Sequence, residues 1–214
     1  MIRPLRSARF LAHTLPILAG AAAAAQTSEP IASYFGFEPH RIIVVNDGCG
    51  PAISADFNSD GRPDVAVVNN AKSRIEIHFL RATERNAEEM SRTYRVNELP
   101  PNPWYDNTNV SVSNRVGAIL AHDADRDGRL DILFAGSSPA EIVVLRQTDK
   151  GEFEIANRRR VKDLAASQQA FRIADVVAGP DPEVLAIAGG RVNVFPLSVG
   201  GIIGNPIEMG SSGQ

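Results

Sequence analysis

The feature that most constrains this chain is an acidic nine-residue loop that occurs twice and, in weaker form, a third time. The first two copies align without gaps as residues 56–64 (DFNSDGRPD) and 123–131 (DADRDGRLD), which lie 67 residues apart. The weaker copy, residues 175–183, follows 52 residues further on. Because self-similarity at this spacing is the mark of a repeat protein, we expect several similar units in series.

Each loop is followed by two short apolar runs with Gly, Asn or Ser between them, which is typical of antiparallel hairpins. These runs are 65–68 and 75–79, 132–135 and 141–145, and 184–187 and 191–195. Further strands are predicted at 152–155, after the turn at 148–151, and at 41–45, where β-branched residues cluster. Helical periodicity is limited to 82–92 and 162–169, each long enough for two or three turns. The sequence therefore predicts an all-β fold.

The loop spacing Asp-x-Asn/Asp-x-Asp-Gly-x-x-Asp predicts a cation site. Side-chain oxygens at positions 1, 3 and 5 of a tight loop converge, position 7 adds a backbone carbonyl, and position 9 adds a carboxylate. Glycine at position 6 permits the sharp turn. Such a set of hard oxygen ligands suits calcium. The predicted ligands of two calcium ions are Asp56, Asn58, Asp60, Asp64 and the Arg62 carbonyl, and Asp123, Asp125, Asp127, Asp131 and the Arg129 carbonyl.

Other metal sites fit these loops less well. An EF-hand needs a Glu at position 12, where this chain has the apolar residues Val67 and Phe134. There is no cluster of His and Cys at zinc spacing. The third loop has Val177 and Gly179 where ligands are needed, so it is expected to keep its backbone role without calcium. The second loop carries four carboxylates, whose repulsion should make its order depend more on the ion.

The two acidic loops resemble the calcium loops of FG-GAP/VCBS repeats, the blades of integrin-α-like β-propellers found in exported bacterial proteins. The resemblance covers residues 36–200 and is most specific at the loops. It implies that each repeat is a four-stranded antiparallel blade with calcium held between two strands, and it suggests cell adhesion. We therefore expect a β-propeller-like array of about three blades.

Three blades are few for a propeller, since closed propellers have about four to eight. We expect an incomplete or open propeller. A truncated reading frame, self-association through open sheet edges and a small open stack all account for this length, and truncation is favoured slightly.

The N-terminal residues 1–25 read as a secretory signal, because Arg3, Arg6 and Arg9 precede a short apolar stretch that ends in Ala21–Ala25. The stretch is too short for a membrane span. Residues 26–214 are then the repeat domain, and the protein is expected to be secreted, periplasmic or at the cell surface. A formal net charge of -3 argues against non-specific nucleic-acid binding. Cys49 is the single cysteine, so no internal disulfide is possible.

The most favoured function is a non-catalytic scaffold that binds an extracellular protein or a polysaccharide. Residues 99–109, an apparent insertion with the single Trp104, are one candidate contact surface, and an ordinary loop folded onto a blade is the other interpretation. The alternative function is a propeller-type polysaccharide lyase or hydrolase, for which His40, His78 and His122 are the available histidines. Arg158–Arg160 with Lys162 are interpreted as a solvated face rather than a site for an anionic partner.

Overall fold

The computed structural model describes residues 40–90 and 101–207. The chain divides into two units, Met1–His40 and Arg41–Gln214, and every described residue except His40 belongs to the second. The predicted signal segment 1–25 lies outside the described residues. The second unit is built almost entirely of β-strands.

The described residues contain twelve strands, one short α-helix and two short 3₁₀ turns. The strands are β1 (Ala52–Ala55), β2 (Asp64–Asn69), β3 (Arg74–Leu80), β4 (Tyr105–Ser111), β5 (Arg115–His122), β6 (Asp131–Ser137), β7 (Glu141–Gln147), β8 (Phe153–Arg160), β9 (Phe171–Ala174), β10 (Glu183–Ala188), β11 (Arg191–Ser198) and β12 (Ile202–Ile203). The helix is α1 (Ala87–Met90), and the 3₁₀ turns are Asn70–Lys72 and Gln168–Ala170. All six apolar runs that follow the loops form strands.

The strands form three antiparallel sheets, each made of four strands that are consecutive in the chain. We call these sheets blade 1 (β1–β4), blade 2 (β5–β8) and blade 3 (β9–β12). The first strands of successive blades are neighbours, β1 of β5 and β5 of β9. Among the described strands, no sheet closes on itself. The fold is therefore an open, propeller-like all-β array, which confirms the predicted fold class.

Alternation of side chains along the strands gives each blade two packing faces. We call the face toward the next blade in chain order the forward face, and the opposite one the rear face. The forward faces that are covered are Ala66, Val68, Ile75 and Ile77 in blade 1 and Leu133, Ala135, Ile142 and Val144 in blade 2. The rear faces that meet them are Ile132, Phe134, Val143 and Leu145 in blade 2 and Val184, Ala186, Phe195 and Leu197 in blade 3. All sixteen side chains are at most 2% exposed, so apolar burial holds successive blades together.

Two side-chain amides also join the blades by satisfying the edge of β5 that faces away from β6. Asn70 of blade 1 donates to Val116 O (2.9 Å) and accepts from Val116 N (2.8 Å). Gln168, just before β9, donates to Ile119 O (2.9 Å) and accepts from Ile119 N (3.0 Å). Because each amide pairs with both backbone groups of one residue, it replaces part of a missing strand. This part of the β5 edge is therefore not open for pairing with another chain.

The strand predicted at 41–45 is wrong. Residues 40–46 have no regular secondary structure, and Ile42 and Val44 are exposed. The first strand of the blade is instead β1, directly before the acidic loop, where Ala55 pairs with Asp64. The loop is thus a hairpin connection. The strand that pairs with β2 directly precedes the loop and does not lie at 41–45.

Three further expectations are corrected. Within the described part of 82–92, helix is limited to the single turn α1, and 162–169 contributes only the start of a 3₁₀ turn. Residues 105–109 belong to β4, the outer strand of blade 1, so most of the described part of the supposed insertion 99–109 is sheet. Short polar stretches such as 107–109 lack the apolar alternation that identifies a strand, and pairing with β3 decides their structure.

Candidate metal centre

The three loops occupy the same place in the three blades. Each connects the first strand to the second, and each ends at a buried acidic residue that begins the second strand: Asp64, Asp131 or Glu183. The first two loops also share their backbone conformation. Positive φ angles occur at position 4 (Ser59 and Arg126) and at the position 6 glycines, Gly61 (80°) and Gly128 (88°). The predicted glycine turn is therefore present in both loops.

The carboxylate at position 1 fixes the turn by accepting two backbone N–H groups. In the first loop, Asp56 accepts from Asp60 N (3.0 Å) and Gly61 N (2.8 Å). In the second, Asp123 accepts from Asp127 N (3.1 Å) and Gly128 N (2.9 Å). Both oxygens of each carboxylate are used, so position 1 organises the loop as well as offering charge.

The carboxylate at position 9 bridges the loop and the end of the third strand. Asp64 accepts from Phe57 N (2.9 Å) and Leu80 N (2.8 Å). Asp131 accepts from Ala124 N (2.9 Å) and Gln147 N (2.8 Å). Each of these two carboxylates therefore ties three segments of its blade together.

Burial raises the pKa of both position 9 carboxylates, Asp64 and Asp131. Their backbone hydrogen bonds act in the opposite direction, while the neighbouring acidic side chains of the same loop raise the pKa further. Without a cation, like charge thus accumulates around a buried carboxylate. A bound divalent cation would relieve this repulsion.

Positions 5 and 7 form an ion pair that the sequence analysis did not anticipate. Asp60 pairs with Arg62 and Asp127 pairs with Arg129, while each arginine Nε donates to the end of the third strand, at Leu80 O (3.0 Å) and Gln147 O (3.3 Å). From the sequence, only the carbonyls of these arginines are expected to contribute to the site. The signal that was available is the recurrence of Arg at position 7 in both acidic loops.

Three carboxylates of the second loop converge. Asp123, Asp125 and Asp131 each offer an oxygen, and these oxygens lie within 4.8 Å of one another. Asp127 is not part of this cluster and faces Arg129 instead. In the first loop, position 3 is an amide, and Asn58 Nδ2 donates to Asp60 Oδ2 (2.7 Å). The second loop is therefore the stronger candidate metal centre.

The third loop keeps one part of this arrangement. Glu183 Oε2 accepts from Val176 N (2.9 Å) and Val177 N (3.3 Å). Near the end of the third strand, Leu197 N donates to Pro182 O (3.0 Å) rather than to a carboxylate. Asp175 is exposed. The acidic side chain thus still organises the loop, whereas backbone contacts replace its link to the third strand.

Side chains connect the loop ends of neighbouring blades. Gln147 Nε2 of blade 2 donates to Phe57 O of the first loop (2.8 Å). Arg126 of the second loop pairs with Asp181 and donates to Pro180 O (2.9 Å) of the third. A cleft of about 290 Å³ lies between residues 57–59 and the β7–β8 turn, 147–151. The three loops therefore line one edge of the array.

The remaining sequence candidates lie apart from the cluster or serve other contacts. Trp104 stacks under Arg41, whose guanidinium carbon is 4.6 Å from the ring centroid. His78 is buried against Tyr105, and burial lowers its pKa. Arg158 and Arg160 both face the buried Glu141, so part of the predicted basic face is neutralised internally. Cys49 is a free thiol that is partly exposed.

Comparison of the chain with known proteins gives no assignment: no family model, curated protein or solved structure matches it. None of the helical segments in residues 40–90 and 101–207 has the length and apolarity that a membrane crossing requires.

Proposed function

We propose that this chain is a calcium-binding repeat module of the FG-GAP/VCBS type that acts outside the cytoplasm as a non-catalytic scaffold for a protein or a polysaccharide. The observation that carries the proposal is the convergence of Asp123, Asp125 and Asp131 in a loop whose backbone conformation recurs in the first loop. The loop at the same position of blade 1 has the same backbone conformation and carries three carboxylates and an amide.

The donor set favours calcium over softer metals. Asp123, Asp125 and Asp131, together with the Arg129 carbonyl, would supply oxygen ligands, and water would complete the six to eight that calcium takes. No nitrogen or sulfur ligand belongs to the cluster. Asp127 would join as a ligand only if its ion pair with Arg129 opened, so we expect that pair to weaken when the ion binds.

The ion would act on stability and would not take part in a reaction. It would bind the folded loop and not the unfolded chain, and it would therefore stabilise the fold by mass action. Sites of this kind in extracellular modules have affinities of about 10⁻⁴–10⁻³ M. Calcium would then hold the loop edge of the array rigid as a contact surface at extracellular concentrations.

The proposal is tested by calcium titration calorimetry combined with thermal melting in calcium and in chelator. We expect two ions per chain and a higher melting temperature in calcium. Asp125→Ala should reduce the stoichiometry to one, because it removes a ligand from the cluster. Asp125→Asn should keep two ions with weaker affinity, because the first loop has an amide at the same position (Asn58).

The matched control is Asp149→Asn, which changes an exposed carboxylate at the β7–β8 turn and should leave both the stoichiometry and the melting shift unchanged. Absence of any calcium-dependent heat or melting shift in the unsubstituted protein would refute the metal assignment. A new ultraviolet absorbance from unsaturated products, when the protein is incubated with acidic polysaccharides, would refute the non-catalytic assignment.

A further inference from the structure

The strand order brings basic residues from five separate segments of the chain to one edge of the array. The acidic loops connect the first strand of each blade to the second, so the turns between the second and third strands lie at the opposite end of the strands. These turns are 70–73, 138–140 and 189–190. The connections from blade to blade, 112–114 and 161–170, lie at the same end. We call this end of the strands, formed by these five segments and the strand ends next to them, the basic edge.

Hydrogen bonds join these segments into one continuous surface. The connection 112–114 bonds to the turns of blades 1 and 2, through Val112 N to Ser73 O (2.9 Å) and Asn114 Nδ2 to Pro139 O (2.9 Å). The connection 161–170 bonds to the turns of blades 2 and 3, through Val161 N to Ala140 O (3.0 Å) and Gly189 N to Asp163 O (3.1 Å). The basic edge therefore runs without interruption across all three blades.

The exposed charges of the basic edge are mostly positive. Its exposed cations are Lys72, Arg115, Arg158, Arg160, Lys162, Arg172 and Arg191, and its exposed carboxylates are Asp47 and Asp163. From the sequence, 158–160 with Lys162 are interpreted as a solvated face, and the fold adds cations from four other segments to them. Because the acidic loops lie at the other end of the strands, the two edges of the array carry opposite charge.

Most of these cations are not neutralised by the protein itself. The buried Glu141 faces both Arg158 (3.7 Å) and Arg160 (3.3 Å), so one carboxylate serves two arginines. Arg172 donates only to carbonyl oxygens, Gln168 O (2.6 Å) and Phe171 O (2.9 Å), which hold its guanidinium without cancelling its charge. Within residues 40–90 and 101–207, no carboxylate forms an ion pair with Lys72, Arg115, Lys162, Arg172 or Arg191.

The cations follow the succession of blades, so they form a row rather than a pocket. Packed sheets lie about 10 Å apart, and three blades therefore spread the row over about 20 Å. A small anion would contact the cations of one blade only. A linear polymer with an acidic group at regular intervals would contact all three blades at once, and such multivalent contact raises the affinity well above that of a single ion pair.

We propose that the basic edge binds a linear acidic polysaccharide. The inference rests on the proposed function in one respect, because it takes the partner to be a polymer outside the cytoplasm. It does not depend on the calcium ligands, which lie at the other end of the strands. Recognition through charge predicts binding that weakens as salt is added, since exposed charges are screened over about 8–10 Å at physiological ionic strength.

Two other polyanions fit the edge less well. Single-stranded nucleic acid is held by bases stacked on exposed aromatic rings, and none of the exposed large apolar side chains in the described part of the chain is aromatic. The formal net charge of -3 also disfavours a nucleic-acid partner. Attachment to an anionic lipid surface through charge alone is weak, because stable attachment takes an inserted apolar group or a lipid anchor as well.

Fluorescence anisotropy with an end-labelled hyaluronate oligosaccharide tests the proposal, because hyaluronate carries one carboxylate per disaccharide. In calcium-containing buffer, the unsubstituted chain should bind it at about 50 mM salt and more weakly at about 150 mM. Lys72→Gln, Arg115→Gln and Arg191→Gln each remove one cation from blade 1, 2 or 3. Each should weaken binding about two- to fivefold, as expected for one exposed ion pair. The three together should weaken it at least about tenfold.

The matched control is Lys150→Gln, which removes an exposed lysine from the β7–β8 turn at the loop edge and should leave hyaluronate binding unchanged. Uncharged dextran should not bind. Calcium calorimetry of the triple variant separates the two proposals, because it should still find two ions. Hyaluronate binding without any calcium-dependent heat would refute the metal assignment alone, and two bound ions without hyaluronate binding would refute the polysaccharide alone.

Four outcomes would overturn the inference. The unsubstituted chain could fail to bind hyaluronate, or the substitutions could matter in one blade only. Lys150→Gln could weaken binding as much as Lys72→Gln does. Single-stranded DNA or phosphatidylserine vesicles could bind more tightly than hyaluronate at the same salt concentration. Circular dichroism of each variant shows whether it is folded, and if the triple variant is unfolded, the three single variants decide the result.

Discussion

Blades 1 and 3 have the same four-stranded topology, but they differ at the two places where a blade meets its surroundings. Blade 1 has an acidic loop with a position 9 aspartate and a polar rear face. Blade 3 has a loop without middle ligands and an apolar, partly exposed forward face. The four-stranded antiparallel topology of a blade therefore depends neither on a full set of acidic ligands in its loop nor on the polarity of its outer face.

The loops show that an acidic residue at position 9 has two separable roles. In blade 1, Asp64 joins the loop to the third strand and also belongs to the predicted ligand set. In blade 3, Glu183 holds the loop backbone, while Pro182 O takes over the contact to Leu197 N. The contact of position 9 with the loop backbone thus persists in a loop that lacks the other ligands, whereas its contact with the third strand does not.

The largest effect that tests this comparison is on folding stability. Asp64→Ala leaves the buried N–H groups of Phe57 and Leu80 without their acceptor, at about 1–3 kcal/mol each. Glu183→Ala affects only the loop N–H groups of blade 3, which are partly exposed. In chelator, we expect Asp64→Ala to lower the free energy of unfolding by about 3 kcal/mol and Glu183→Ala by about 1 kcal/mol, as measured by urea denaturation.

Asp175→Ala is the control for this experiment, because it removes an exposed carboxylate from the third loop and should change stability by no more than about 0.5 kcal/mol. Equal losses for Asp64→Ala and Glu183→Ala would contradict the distinction between the two position 9 residues.

A smaller effect is expected when the loop of blade 3 is rebuilt. Replacing residues 177–180 (Val-Ala-Gly-Pro) by Asn-Ser-Asp-Gly, the sequence of residues 58–61, supplies the missing ligands and the position 6 glycine. If the calcium proposal holds, calorimetry should find a third ion. At a calcium concentration tenfold above its Kd, that ion should add about 1.4 kcal/mol of stability.

The control retains Pro180 and inserts Asn-Ser-Asp-Pro. Proline fixes φ near about −65°, whereas Gly61 and Gly128 at this position have φ of 80° and 88°. The control should therefore bind two ions, like the unsubstituted chain. A third ion in the control would mean that ligand identity alone, without the turn conformation, is sufficient.

The acidic loops and the apolar runs behind them were enough to predict the fold. Because each loop connects two strands of a hairpin, it fixes the register of the strand that follows it. Runs such as 132–135 are apolar at every position because both faces of the strand are covered by neighbouring blades. Five strands were missed: β1, β5 and β9, which begin the three blades, and the outer strands β4 and β12. Of these, β4 has a polar sequence without the alternation that identifies a strand. Residues 41–45 are rich in β-branched residues but form no regular strand, because β-propensity alone, without pairing in a sheet, does not make a strand.

The candidate site was predictable in part for a similar reason. Spacing along a tight loop determines which side chains converge, so Asp123, Asp125 and Asp131 could be identified from sequence. The ion pair of Asp127 with Arg129 could not be identified from sequence, because it depends on the rotamer of the long arginine side chain. The hydrogen bonds from Leu80 N and Gln147 N to the position 9 carboxylates join residues that are sixteen apart in the chain, and a local sequence pattern contains no information about such contacts.

The smallest effect concerns the polar end of the array and its response to pH. Burial lowers the pKa of His78, and the Glu76 carboxylate opposes this shift only in part. The unfolded chain therefore binds a proton more readily than the folded one. The stability that the neutral His78 provides is complete above about pH 6.5 and is lost as the pH falls below that value.

His78→Leu introduces the residue type that blade 2 has at the equivalent position, Leu145. In the described part of the chain, His78 Nε2 is buried without a hydrogen-bond partner, so this substitution should not destabilise the fold at pH 7.5. The difference in urea midpoint between variant and unsubstituted protein should then grow in favour of the variant from pH 7.5 to pH 5.5. Taking the difference cancels the contribution of His122, whose pKa burial also lowers. If this difference in urea midpoint did not change with pH, His78 would have the same pKa in the folded and the unfolded chain. The polar face of blade 1 would then differ from the equivalent face of blade 2 in packing alone.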